Sequence, residues 1–161
     1  MTDPARNRLN EIEWRWKPFS ELSALEVYEM LAARNVVFVV EQNCVYGDID
    51  GLDKDAWHFL AYARGERSAK LAGYLRVLLP DETRSDVLIG RVLTAAEFRG
   101  FGLGSAMLEQ VLRHIAAQWP GTAISLHAQA HLRNFYGAFG FEPASGVHDE
   151  DGIPHIWMRS V

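Results

Sequence analysis

The chain has 161 residues, 48% of them hydrophobic and 23% charged, which suits a globular protein able to bury a core without staples. Its formal net charge of -5 argues against a broad nucleic-acid footprint, and its single cysteine excludes an internal disulfide. No run approaches about 18 uninterrupted apolar residues and no apolar signal core follows the polar N-terminus, so a cytoplasmic protein without a membrane partner is expected. One domain over residues 1–161 is expected, with residues 1–10 as a loose N-terminal segment.

Ile12, Trp14 and Trp16 alternate with Glu13 and Arg15, the period of an edge or half-buried strand. Ser23 and Glu26 have the spacing of a capping box, and the helix it starts carries Leu25, Tyr28, Met30, Leu31 and Ala32 roughly on one face. The β-branched run Val36–Val40 reads equally as a helix end or a short strand. Glu41 follows it, and then a loop rich in aspartate and glycine. Asp48, Asp50, Asp53 and Asp55, and later Asp149, Glu150 and Asp151, read on charge alone as solvated loops. The first string lacks EF-hand spacing, because Gly51 is fourth and Phe59 twelfth, so no metal is expected there. The loop then either caps structure or attracts a cationic acceptor.

Strands are predicted near Trp57–Arg64, Leu71–Leu79 and Val87–Leu93, with a polar turn over 65–68. Their connections are too short for crossover helices, which predicts an antiparallel meander. Gly102–Gln118 is predicted helical, with Leu103, Met107, Leu108, Val111, Leu112 and Ile115 as its apolar stripe. Beyond Pro120-Gly121 come a strand over Ala123–Ala128 and a short helix over His131–Phe139 closed by Gly140. Two more strands are predicted, around Phe141 and over Ile153–Met158. The strand–helix–strand unit from Val87 to Ala128 requires a parallel pair in an otherwise antiparallel sheet, and the fold class is α/β.

The segment Arg99-Gly100-Phe101-Gly102-Leu103-Gly104-Ser105 lies between a strand and that amphipathic helix. Glycines let backbone approach a ligand closely, and the unpaired N–H groups and dipole of a helix start form a pyrophosphate cradle. Arg99 can add a charge-assisted hydrogen bond. A Walker loop is excluded because no lysine is present. A dinucleotide fingerprint fits Gly100 and Gly102, but Ser105 takes the third glycine's place and no acidic residue ends the next strand. Arg99, Gly102 and Gly104 match the form Arg/Gln-x-x-Gly-x-Gly/Ala in full.

That form resembles the acetyl-CoA signature of GNAT acetyltransferases. Tyr136, four residues before Gly140-Phe141, falls where that family carries a helix tyrosine. The segments Val37–Cys44, Asp48–Gly51, Ala128–Leu132 and Glu150–His155 resemble the ElaA-like branch, so the similarity spans the chain from about residue 12 onward. The resemblance implies the GNAT fold: a mixed, mostly antiparallel twisted sheet of six to seven strands flanked by about four helices. It further implies that backbone groups of Val92, Leu93 and Thr94 meet the pantetheine arm and acetyl carbonyl, and that Arg99, Gly100, Phe101, Gly102, Leu103, Gly104 and Ser105 hold the pyrophosphate. Tyr136 is then the acid that protonates the CoA thiolate; the alternative is that it simply packs between helix and sheet. Gln129 stands where many members have asparagine.

An attacking amine must lose a proton, and Glu41, directly after a buried apolar run, is the first candidate to take it. His155, His127 and His58 are rivals, since imidazole titrates near neutrality. Cys44 reads as a small semi-buried residue rather than a nucleophile. The expected function is acetyl-CoA-dependent N-acetyl transfer to a primary amine, on a small molecule or a peptide, without a metal and with a homodimer possible through exposed strand edges. A non-catalytic CoA-binding sensor module is the second reading, and a nicotinamide-dependent oxidoreductase a distant third.

Overall fold

Asp3 and Pro4 start a helix where the sequence reading expects a loose segment. In the computed structural model, which describes residues 3–65 and 67–160, helix α1 covers Pro4–Asn10. The Asp3 side chain accepts from the Ala5 N–H at 3.1 Å, and Pro4 sits in the first turn, where its missing N–H costs nothing. Ala5 and Leu9 pack on the core, and the Arg8 guanidinium lies 4.1 Å from the Phe101 ring centroid. These contacts hold the segment in place.

Strand β1 (Ile12–Pro18) forms one edge of the sheet, as its alternation predicts. Trp16 stacks at 5.1 Å on both Trp57 and His114, which pins that edge. Helix α2 (Ala24–Arg34) begins with the complete capping box of Ser23 and Glu26. The run Val36–Val40, left open between helix and strand, continues α2 as a π-helical stretch over Asn35–Glu41. Strands β2 (Trp57–Ala63), β3 (Lys70–Leu78) and β4 (Val87–Thr94) form the predicted antiparallel meander. Helix α3 (Leu103–Gln118) then crosses to β5 (Ile124–Gln129), which pairs in parallel with β4.

The predicted helix over His131–Phe139 is shorter: a 3-10 turn at Ala130–Leu132 leads into α4 (Arg133–Gly137). Strands β6 (Phe141–Pro143), β7 (His148–Glu150) and β8 (Ile153–Ser160) complete an eight-stranded sheet, one strand beyond the expected range. The additional strand is β7. It forms a two-residue hairpin with β8 through Asp151 and Gly152, both at positive φ (51° and 81°), the backbone such a turn requires.

The two faces of the sheet bury separate clusters. Leu103, Met107, Val111 and Ile115 of α3 meet Phe59, Leu75, Val77 and Ile89 on one face. Met30 and Val37 meet Leu60, Tyr62, Tyr74 and Leu93 on the other. Strand alternation accounts for the split, since neighbours along β2 and β3 point to opposite faces. No helix among the described residues is long and apolar enough to cross a membrane.

Candidate active site

The parallel pair holds only over Val87–Ile124, Leu88–Ser125 and Ile89–Leu126. Beyond it β4 and β5 part. Gly90–Thr94 from one strand and His127–Gln129 from the other line a cavity of about 730 Å³. A bulge in β4 adjoins the split: Tyr74 faces Leu93 and Arg76 faces Gly90, so Arg91 and Val92 together oppose Leu75. Arg91 takes the positive φ (54°) that the bulge demands.

An ionic network holds that bulge. Arg34, fully buried, donates to Asp48 Oδ2 at 2.8 Å and to Asp53 Oδ1 at 2.7 Å. Arg76 grips both Asp50 oxygens at 2.8 Å, and Arg91 Nε lies 2.8 Å from Asp48 Oδ1. Burial opposes ionisation of Asp50, yet the Arg76 guanidinium brings its carboxyl down to about 2. The first aspartate string is therefore no solvated loop: Asp48 and Asp53 are buried because α2 and β3 deliver two buried arginines to them. Of the two roles considered for this loop, the structural one is realised.

Of the residues the sequence singles out, Glu41, Val92, Leu93, Thr94, Arg99 and Tyr136 all line the cavity, as do Gln129, His127 and His155. Gly100, Phe101, Gly102, Leu103, Gly104 and Ser105 lie beside it at the start of α3. The Phe101 and Leu103 side chains are buried in the core, which leaves only their backbone free to meet a ligand. Gly102 has a φ of +85° and gives the helix no side-chain cap. The first helical bond runs from the Ala106 N–H to the Gly102 carbonyl at 3.1 Å, so the N–H groups of Leu103, Gly104 and Ser105 have no intrahelical partner. A Cβ at Gly100 or Gly102 would meet nothing within 4 Å, so no neighbouring atom crowds these two positions.

Arg99 and Glu41 pair with each other. Arg99 Nη2 donates to Glu41 Oε2 at 2.8 Å, while its Nε donates to the Thr94 carbonyl at 3.0 Å. The end of the π-helical stretch is thereby tied to the glycine loop. Tyr136 is 5% exposed, and burial alone pushes its phenol up to about 12. Its ring meets Phe135 and Phe141 edge-on, so its position is set by the core while it still lines the cavity.

His58 is no base. It is fully buried, with Nε2 donating to the Asp53 carbonyl at 2.9 Å and Nδ1 accepting from the Tyr74 hydroxyl at 2.6 Å. Cys44 is buried, with Sγ 3.8 Å from the Asp151 carbonyl. One grouping escaped the sequence reading: His127, His148 and Glu150, whose possible ligand atoms all lie within 4.8 Å of one another. The Asp-Gly pair after Glu150 signals the hairpin that delivers His148, and it could have been read.

A sheet split between its parallel strands, in front of an uncapped helix start, is the architecture of an acyltransferase that uses an acyl-CoA donor. Comparison bears this out: residues 24–161 match the family model described as "Acetyltransferase (GNAT) domain", and the chain belongs to that family. It is 44% identical over 149 residues to Protein ElaA of Escherichia coli, covering 91% of this chain and 95% of that protein. The crystal structure of Escherichia coli ElaA superposes with a TM-score of 0.85 at 42% identity, over 93% of this chain and 99% of that one. An acyl-CoA N-acyltransferase from Pseudomonas aeruginosa superposes with a TM-score of 0.86 at 40% identity, with the same coverage.

Proposed function

We propose that this protein transfers an acetyl group from acetyl-CoA directly to a primary amine. The observation that carries this reading is the β4–β5 split, with the free N–H groups of α3 beside it and Tyr136 in its wall. A pyrophosphate suits the start of α3, where the N–H groups of Leu103, Gly104 and Ser105 lack intrahelical partners and nothing crowds a Cβ position at Gly100 or Gly102. Arg99 supplies a cation to the same group by exchanging Glu41 for phosphate. Backbone of Val92, Leu93 and Thr94 borders the split, and an N–H there steadies the oxyanion as the amine nitrogen adds to the thioester carbonyl.

As the C–S bond breaks, Tyr136 gives its proton to the departing thiolate. A phenol is protonated at neutral pH, and burial, which raises its pKa, holds that proton until thiolate charge develops beside it. Glu41, freed from Arg99 by the bound phosphate, takes the proton that the amine loses. Elsewhere in the cavity Glu150 and Asp151 lie beside Trp157, a local lining that suits an amine on a small molecule or a peptide terminus.

Release of free CoA from acetyl-CoA, measured across polyamines, amino acids, aminoglycosides and peptides, tests the reading. Saturable turnover with at least one amine is expected. Acetyl-CoA binding without turnover on any of them would favour the sensor module instead.

A further inference from the structure

We infer that His127, His148 and Glu150 form a binding site for one divalent transition-metal ion of the zinc class. The register brings them together. His127 on β5 faces Trp157 on β8, and His148 on β7 faces His155 on β8. Side chains alternate along a strand and match across a pair, so His127, His148 and Glu150 share one face of the sheet. Three potential ligands from two separate strands thus converge within 4.8 Å.

The contact between the two imidazoles identifies the nitrogens that can ligate. Their Nε2 atoms lie 2.8 Å apart, with ring centroids at 4.9 Å and planes within 10°, so the two nitrogens meet head-on. One must carry a proton and the other a lone pair. The Nδ1 of His148 lies 3.2 Å from the Gly146 carbonyl, which can only accept, so that nitrogen carries the hydrogen and Nε2 is the lone pair. A carbonyl that fixes the tautomer in this way is the usual support of a metal-binding histidine. The proton between the rings then belongs to His127, and loading requires that His127 carry it on Nδ1 instead.

The donor set selects the ion. Two imidazole nitrogens and one carboxylate, with a fourth position open, suit Zn²⁺, whereas Ca²⁺ and Mg²⁺ call for oxygen ligands. Tetrahedral ligation sets the nitrogens about 3.3 Å apart, so the rings must part slightly and tilt until their lone pairs converge. His148 is the half that moves, since it lies on the short hairpin strand β7. Glu150 and the neighbouring Asp151 are exposed and add negative charge around the ion. This site is separate from the Asp48–Asp53 loop, whose carboxylates are spent on arginines.

The test uses untagged, chelator-stripped full-length protein titrated with ZnCl₂ in a calorimeter, with CoCl₂ as a spectroscopic stand-in. One zinc per chain is expected, together with a tetrahedral cobalt band in the visible. His148→Ala and Glu150→Gln should each weaken zinc binding at least about tenfold, while Cys44→Ser leaves it unchanged. No saturable uptake, uptake that both site variants leave intact, or uptake lost with Cys44→Ser would each overturn the site. None of these readouts depends on acetyl transfer.

Discussion

Tyr136 both packs in the core and lines the cavity, and one substitution can separate packing from the proposed chemistry. Its ring is a core element, packed edge-on against Phe135 and Phe141, and its hydroxyl is the only part that chemistry can use. Tyr136→Phe keeps the ring and deletes the oxygen. If the hydroxyl protonates the leaving thiolate, kcat should fall about 10²-fold or more while acetyl-CoA affinity stays nearly constant. Stopped-flow acetyl transfer beside a calorimetric acetyl-CoA titration gives both numbers, and an unchanged kcat would reduce Tyr136 to packing. Glu41 presents a different case. Sequence reasoning could place it after the apolar run but could not foresee Arg99 as its partner, because the two are 58 positions apart. Contacts of that kind are products of the fold, and no local spacing announces them.

At the scale of elements, the network under the β4 bulge decides the shape of the cleft. Arg34 ends α2, Arg76 sits in β3, Arg91 forms the bulge, and the aspartate loop binds all three. Removing Arg34 takes charge-assisted hydrogen bonds from two buried carboxylates, although Asp48 keeps Arg91 and Asp53 keeps Arg76. Arg34→Met should therefore cost about 1.5–3 kcal/mol of stability, read as a lower urea midpoint at unchanged slope; a loss below about 1 kcal/mol would mean that water replaces the guanidinium. Elements with strong local periodicity were legible in advance: β2, β3 and α3 fall within a residue of their predicted spans. Those that depend on a partner were not. The π-helical stretch over Asn35–Glu41 is built of β-branched residues that favour strand on their own, yet α2 carries the helix into them and Val37 buries against the sheet. Helix α1 did carry a readable signal, the Asp3-Pro4 start, which its polar composition masked. The glycine loop and Tyr136 were written in a motif; the rest of the cavity wall is assembled from several strands and a loop, and its histidines come together only through the register.

For the whole molecule, one buried and one half-buried histidine couple folding to pH. His58 is enclosed by Tyr74 and the Asp53 carbonyl, with Arg34 and Arg76 close enough to oppose a further positive charge, and burial is the main force lowering its pKa. Burial also lowers the pKa of His114, which stacks on Trp16. Both rings are neutral in the folded protein at a pH where an unfolded chain, with a pKa of about 6.5, would take up protons. The unfolded state thus binds more protons below that point, and the stability these two rings contribute, complete above it, is lost as pH falls toward their lowered values. Asp50 and Asp53, both with lowered pKa values, add a second loss that begins only below the ordinary aspartate range near 3.8 and runs, for Asp50, down to about 2. The melting temperature should therefore decline in two stages, a first between pH 7 and 5 and a second below pH 4. Scanning calorimetry in buffers of matched ionic strength resolves them. A melting temperature that holds level from pH 7 to 5 would mean that His58 and His114 accept protons without unfolding, against the enclosure of His58 between a phenol and a carbonyl.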